Sequence, residues 1–542
     1  PLLKVPLTGR LFVGEPECSP CSPQDAASGK MVPLLLEVDG PGVIVKLAGH
    51  TAIDQESGRL TSSFREDPQL PFSDLEVTLK NGPDAPLVNP HVCGPAPASV
   101  QLTPWSAAAA TEVSAPPIPI GGCSPPTFTP SLRAGMTGTA QAGAFSPFSV
   151  TLARPDGQQD LRSITVTTPP GLLGMLSHVS PCGETQANAG TCPAASEIGS
   201  TSVTVGPGPQ PYEITGGRVF LTGPYRGQPF GLSIVLPAAA GPFTLAGDTG
   251  VGTEALRASI AIDPTTAALT VSSDELPRQL NGIPLDIDRV VVDIDREGFM
   301  FNPTNCSAMS VAGDARSTTG TAAALSFPFQ SVNCATLAFK PRFMALTHAR
   351  TSKARGAYLH VKVIAGPGQA NIGKVKVDLP KQLPSRLTTL QKACPAPTFL
   401  ANPASCPAAS DVGSATALTP VLSGRLTGPA YLVSHGGAAF PDLEIVLQGE
   451  GITLILDGKT DIKRGITSSD FQTLPDAPIT SFDLVLPAGP HSALAANASL
   501  CKATLRMPTA ITAQDGAVVA GTTKIAVSGC ARRKRVERLS HT

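Results

Sequence analysis

The chain has 542 residues and a net charge of −1, from 40 Lys and Arg against 41 Asp and Glu. That balance argues against the strong uniform field of a nucleic-acid binder, and the aromatic content of 4%, with one Trp and four Tyr, argues against stacking platforms for bases or sugars. With 52 Gly, 55 Pro and 42% apolar residues, the composition suits neither long helices nor disorder; it suits short strands joined by tight turns.

Strand signals appear early. Thr8 to Gly14 is a Gly-bounded apolar run, and Val32 to Val38 is a second run. A further strand is expected within Pro68 to Gly82, where Leu75, Val77 and Leu79 alternate with Glu76 and Thr78. After Cys123 come Phe148–Leu152 and Ile164–Thr167, then the turn Pro169-Pro170-Gly171-Leu172. Cys182 precedes Cys192-Pro193-Ala194-Ala195-Ser196, and strands are expected at Gly217–Gly223, Gly231–Leu236 and Ile287–Ile294. The same succession then recurs. After Cys334 come Leu359–Val363 and Val375–Asp378, followed by Cys394 and a second Cys-Pro-Ala-Ala-Ser at 406–410. Strands are expected again at Gly428–Val433, at Asp442–Leu447 and within Leu474–Gly489.

This internal repeat organises the chain. Equivalent cysteines lie 213 residues apart from Cys93 to Cys306 and 195 apart from Cys306 to Cys501. That period is too long for a solenoid and fits tandem domains. The reading is all-β, with tandem Ig-like β-sandwich domains. They run over 1–123 (a partial repeat), 124–334 (sub-domains 124–205 and 206–334) and 335–530 (sub-domains 335–418 and 419–530), with a basic tail at 531–542. The first repeat lacks the early strands and the short cysteine loop. Either the natural chain is longer or the unit diverges, or a neighbouring subunit supplies the strands by strand addition.

The twelve cysteines pair by recurring spacing as Cys18–Cys21, Cys93–Cys123, Cys182–Cys192, Cys306–Cys334, Cys394–Cys406 and Cys501–Cys530. A single C-x-x-C without a second knuckle does not make a zinc site. A disulfide framework implies an oxidising compartment and export. The chain begins at Pro1, which fits a removed signal peptide or an incomplete N-terminus. No apolar run is long enough to span a membrane.

Catalytic signals are sparse. The eight His are scattered, with no two-His metal spacing and no G-x-S-x-G elbow. Asp286, Asp288, Asp293 and Asp295 form the best cation candidate, for calcium, but Ile287, Val290, Val292 and Ile294 interleave with them as in a strand. The Gly-rich run 247–252 reads as a turn. Asn305 and Asn497 match the N-glycosylation pattern. The tail residues Arg532, Arg533, Lys534, Arg535 and Arg538 could contact an anionic wall polymer.

Taken together, the P-G-L turn, the Cys-Pro-Ala-Ala-Ser-x-[IV]-G loop, the G-x-[VA]-[FY]-L strand and Asn89-Pro90-His91-Val92-Cys93 resemble uncharacterised secreted repeat proteins of actinobacteria. The resemblance covers nearly the whole chain and implies no activity, cofactor or site residue. The expectation is an exported structural protein without enzymatic activity or cofactor, a subunit of a surface filament, appendage or layer, assembled from copies of itself through the incomplete first repeat. The alternatives are a surface binding or adhesion module for glycan or protein, and a secreted enzyme. Neither nucleic acid nor a membrane span is expected.

Overall fold

The structure is a computed structural model that describes residues 5–90, 93–107, 109–123, 127–240, 243–245 and 252–530. The fold is all-β. Gly and Pro interrupt every apolar run before a helix can propagate, and the longest described helices, Pro23–Ser28 and Ala396–Ala401, have six residues.

The N-terminal sheet is a meander of β1 (Thr8–Val13), β2 (Pro33–Gly40), β3 (Val43–Ile53) and β4 (Leu60–Phe64). The second unit supplies β5 (Ser131–Met136), β6 (Phe148–Ala153), β7 (Leu161–Thr167), β8 (Glu197–Val205), β9 (Tyr212–Thr222) and β10 (Phe230–Pro237). It continues with β11 (Thr253–Ile262), β12 (Leu269–Ser273), β13 (Ile287–Ile294), β14 (Met309–Ser317) and β15 (Ala322–Phe329). These strands hydrogen-bond in the order β15-β14-β7-β12-β11-β10-β9-β8-β13-β6-β5.

The third unit repeats this strand for strand. Its members are β16 (Arg342–His348), β17 (Leu359–Ile364), β18 (Ile372–Asp378), β19 (Asp411–Leu418), β20 (Leu426–Ser434) and β21 (Asp442–Gly449). Then come β22 (Ile452–Lys463), β23 (Ile466–Phe471), β24 (Ser481–Leu486), β25 (Arg506–Ala513), β26 (Val518–Lys524) and β27 (Ala526–Ser528). Their order is β26-β25-β18-β23-β22-β21-β20-β19-β24-β17-β16-β27, so each strand up to β26 occupies the place of the second-unit strand eleven numbers lower.

Two expectations change here. The sub-domain boundaries near 205 and 418 do not divide the units, because β8 lies between β9 and β13, and β19 between β20 and β24. Instead of Ig-like sandwiches of two sheets, the second unit runs through eleven hydrogen-bonded strands and the third through twelve, and both curl into a barrel-like form. In the second unit the curl closes where Ala142 N donates to Val332 O (3.0 Å) and Val332 N to Ala140 O (2.9 Å). In the third, β27 pairs parallel with β16.

The repeated loop explains its own sequence. All six expected disulfides form, and Cys182–Cys192 and Cys394–Cys406 close the short loops. The final Ser of each Cys-Pro-Ala-Ala-Ser is fully buried, and its hydroxyl donates to the carbonyl of Pro193 or Pro407 at 2.7 Å. The glycine three residues on sits at a bulge. A Cβ on Gly199 would lie 1.9 Å from Asp293 O, and one on Gly413 2.3 Å from Val485 O.

The units are joined by side chains. Cys21, Met31 and Ile53 of the first pack with Ala238, Leu245 and Leu280 of the second. Between the second and third units, the carboxylate of Asp476 is buried and accepts from Thr304 N (2.9 Å), Thr304 Oγ1 (2.7 Å), Asn305 N (3.1 Å) and Asn371 Nδ2 (2.8 Å). Ser177 N also donates to Val421 O at 3.0 Å, and Ile455 N to Pro264 O at 2.8 Å. One apolar cluster runs without interruption from Leu132 to Ile525, through both complete units.

Candidate functional site

Strand alternation places one set of side chains inside each curled sheet. On β6 these are Phe148, Val150 and Leu152, and on β13 Val290, Val292 and Ile294. On β17 they are Leu359, Val361 and Val363. The polar members of the same strands, Ser149, Thr151, His360 and Lys362, fall on the other face. A sheet of about eight strands curls tightly enough for side chains to fill its interior, whereas wider ones leave space. Here the inward residues are Val, Ile, Leu and Ala with few aromatics, and a cavity of about 420 Å³ remains.

The cavity is lined by both complete units, and its lining includes no charged side chain. Its four hydroxyl residues are Thr168, Ser273, Thr419 and Ser469. Three of them are engaged with backbone. Thr168 Oγ1 accepts from Leu269 N (3.1 Å), Ser273 Oγ from Ile164 N (3.0 Å) and Thr419 Oγ1 from Val421 N (3.1 Å). Such a wall gives water no adequate set of partners. An apolar cavity of this kind stays dry or takes an apolar ligand.

A second, polar depression shares Ser273 with the chamber. Arg162, Arg226, Arg316 and Glu275 line it. Arg226 Nε lies 3.0 Å from Asp274, Arg162 pairs with Glu275, and Arg316 lies 3.5 Å from Asp314. The chamber therefore abuts a zone of paired charges beside β12.

The sequence candidates are distributed elsewhere. Asp286 and Asp288 do not join Asp293 and Asp295 in a cation site. Both turn to Arg154, whose side chain is fully buried; it lies 3.0 Å from Asp288 and in contact with Asp286. Arg154 also donates to the carbonyls of Ile287 (3.1 Å) and Gln158 (3.0 Å). Burial pushes the Asp288 carboxyl up to about 6 against the pull of Arg154. Asp293 lies on β13, opposite Ser149 and Ser200. No group of three His, Cys, Asp or Glu assembles as a metal site among the described residues. The basic tail, Arg532 to Arg538, and residues 247–251 of the Gly-rich run lie outside the described residues. Asn305 Oδ1 accepts from Ser307 N (2.8 Å), and Asn497 N donates to Gln382 O (3.1 Å).

Sequence reasoning missed one titratable cluster. On the face of β21 and β22 opposite the chamber, Lys459 lies 2.8 Å from both Asp442 and Asp457, and His435 Nε2 lies 3.4 Å from Glu444. Burial, reinforced by Asp457, pushes the Glu444 carboxyl up to about 8. In the second unit the equivalent positions hold Ser233 and Arg257, tied to Ala187 O (2.7 Å) and Leu232 O (3.1 Å). The ionic cluster thus belongs to one unit, whereas the apolar interior belongs to both.

No family model matches the chain, and no curated protein matches it. Among solved structures, a crystal structure assigned as a membrane-anchored protein of Corynebacterium diphtheriae aligns with 74% of this chain and 91% of its own, at 8% identity and a TM-score of 0.14. A likeness at that score carries no argument about fold or function. No helix among the described residues is long and apolar enough to cross a membrane.

Proposed function

We propose that this is an exported, disulfide-stapled protein that binds long alkyl chains in a chamber shared by its two complete units. One observation carries the reading: a cavity of about 420 Å³ whose lining has no charge and whose hydroxyls are largely tied to backbone. Burying a sixteen-carbon chain gains roughly 12 kcal/mol at about 0.8 kcal/mol per CH₂. Loss of free motion on association offsets about 4 kcal/mol or more of that, so micromolar affinity is expected. The charged depression beside Ser273 favours an amphiphile over a bare hydrocarbon, because its polar end would rest among Arg162, Arg226 and Arg316. Titration calorimetry with hexadecanoate tests this. Saturable binding with a negative heat-capacity change, and none with butanoate, is expected. Equal heats for both acids, or no binding of either, would overturn it.

A second reading is a structural subunit of a surface filament or layer. The open edges of β1 and β4 favour it, since each has one strand neighbour among the described residues. Negative-stain images of native material should then show regular polymers, and uniformly monomeric particles at high protein concentration would dismiss it.

A further inference from the structure

Two copies of one architecture wall the chamber, so a difference at matching positions separates what each copy does. Thr165 pairs with Ser272 in the second unit as Lys376 pairs with Asp470 in the third. One step along these strands, Ser273 therefore stands where the third unit has Phe471. On the neighbouring strand, Ala258 of β11 faces Ser273, and Gly458 of β22 faces Phe471.

In the third unit this place is shut. Phe471 is buried, and its ring lies against Gly458, where a Cβ would stand 2.5 Å from the ring Cζ. Val375 pairs with Phe471, so the ladder of β18 and β23 reaches that residue. Just beyond it, Gln514 Nε2 donates to the carbonyls of Leu474 (2.8 Å) and Ile372 (3.5 Å), and so spans the two chain segments where they part.

In the second unit the same place is thinly closed. The ladder of β7 and β12 stops one residue earlier, at Thr165 and Ser272, and Ile164 N donates to Ser273 Oγ (3.0 Å). Ser273 is half-buried and faces both the chamber and the polar depression. Serine for phenylalanine removes a ring, and alanine for glycine returns a single methyl. At the outer rim Thr318 takes the place of Gln514, and Arg162 that of Gly373. The Arg162 side chain is 48% exposed beside Glu275, and that of Arg226 61% exposed beside Asp274. A guanidinium has five N–H donors, more than one carboxylate oxygen takes up, so each can also hold an incoming acid.

We infer that a single-chain amphiphile with a carboxylate head enters the chamber through the second unit at Ser273. It leaves its head on Arg162 and Arg226 and lays its tail toward the third unit, where Phe471 keeps the matching place closed. A mouth on one side only selects ligands polar at one end. The inference rests on the alkyl-chain reading above and adds to it a route, a direction and a head chemistry.

The test uses the whole chain. Ser273→Phe with Ala258→Gly copies the third unit's pair into the second. Stopped-flow mixing with a fluorescent conjugated octadecatetraenoic acid should show association slowed about tenfold or more relative to the parent. Arg162→Gln with Arg226→Gln, both at the exposed rim, provides a second measurement by displacement of the same probe. Affinity for dodecanoate should fall about tenfold or more, as for a lost charged hydrogen bond, while affinity for dodecan-1-ol stays that of the parent. An unchanged association rate in the first variant overturns the mouth at Ser273 and leaves alkyl-chain binding standing. An equal loss for acid and alcohol in the second, or no loss for either, overturns the placement of the head. No binding of the fluorescent acid by the parent overturns the alkyl-chain reading itself, and this inference with it.

Discussion

Replacing Asp476 by Ala should uncouple the two complete units. Its carboxylate takes four hydrogen bonds, and three of the donors, Thr304 N, Thr304 Oγ1 and Asn305 N, come from the second unit. Hydrogen bonds to a charged group contribute about 1.5–3 kcal/mol each, but the carboxylate also loses its hydration on burial, so a net loss of about 4 kcal/mol is expected. Burial raises the Asp476 carboxyl above its ordinary range despite those donors, which shows that hydration opposes the network. Asp476→Asn should lose less, about 2 kcal/mol, because one amide oxygen still accepts from Thr304 Oγ1 and Asn371 while its NH₂ meets Thr304 N and Asn305 N. Urea unfolding should show the transition of the parent splitting into two in the Ala variant, and a cycle with Thr304→Val should give a coupling of about 1.5–3 kcal/mol. A loss under about 1 kcal/mol in the Ala variant, with a single transition, would refute the view that this carboxylate links the units.

Three other outcomes are expected. Arg154→Ala leaves Asp286 and Asp288 buried together without their cation and should destabilise the second unit by about 3–5 kcal/mol in chemical denaturation, with no rescue by calcium. Glu444 binds a proton up to about pH 8 in the folded state, whereas its ordinary value is 4.5. The folded protein thus holds more protons than the unfolded chain between those values and loses stability as pH rises. Glu444→Gln should remove that loss and gain about 3 kcal/mol on the parent from pH 5 to 8, as read from paired urea curves. Val166→Trp with Val361→Trp places bulk in the chamber from partly open wall positions. Hexadecanoate affinity should fall at least tenfold while the unfolding midpoint stays near that of the parent; an unchanged affinity would place the alkyl chain elsewhere.

Much of this architecture was legible in the amino acids. Strands such as Phe148–Ala153 and Asp442–Gly449 announce themselves by alternation or by an apolar run, and the disulfides by spacing. The strand expected at Leu75–Leu79 does not form, because a strand needs neighbours and this segment pairs with none among the described residues. Strand order was not legible. Periodicity says which face of β8 points inward and nothing of its insertion between β9 and β13. The chamber was hidden for a related reason: alternation marks the inside, but whether side chains fill it depends on how many strands share the circumference. In sequence, Leu474-Pro475-Asp476-Ala477-Pro478 is a Pro-rich stretch ahead of a strand, with nothing to mark its acid. Its acid becomes a link between units only through Thr304 and Asn305, which the fold brings to it.

The interleaving of early and late strands also bears on when a unit can fold. Leu161 pairs with Ser317, and Phe148 with Ile294, so β5–β8 cannot complete their sheet until almost the whole unit has emerged. Loop-closure entropy falls on such remote pairings before any sheet is gained, which makes folding slow. Under the proposed export, slow folding is useful: it keeps the nascent repeat threadable until its cysteines reach the compartment where they can pair.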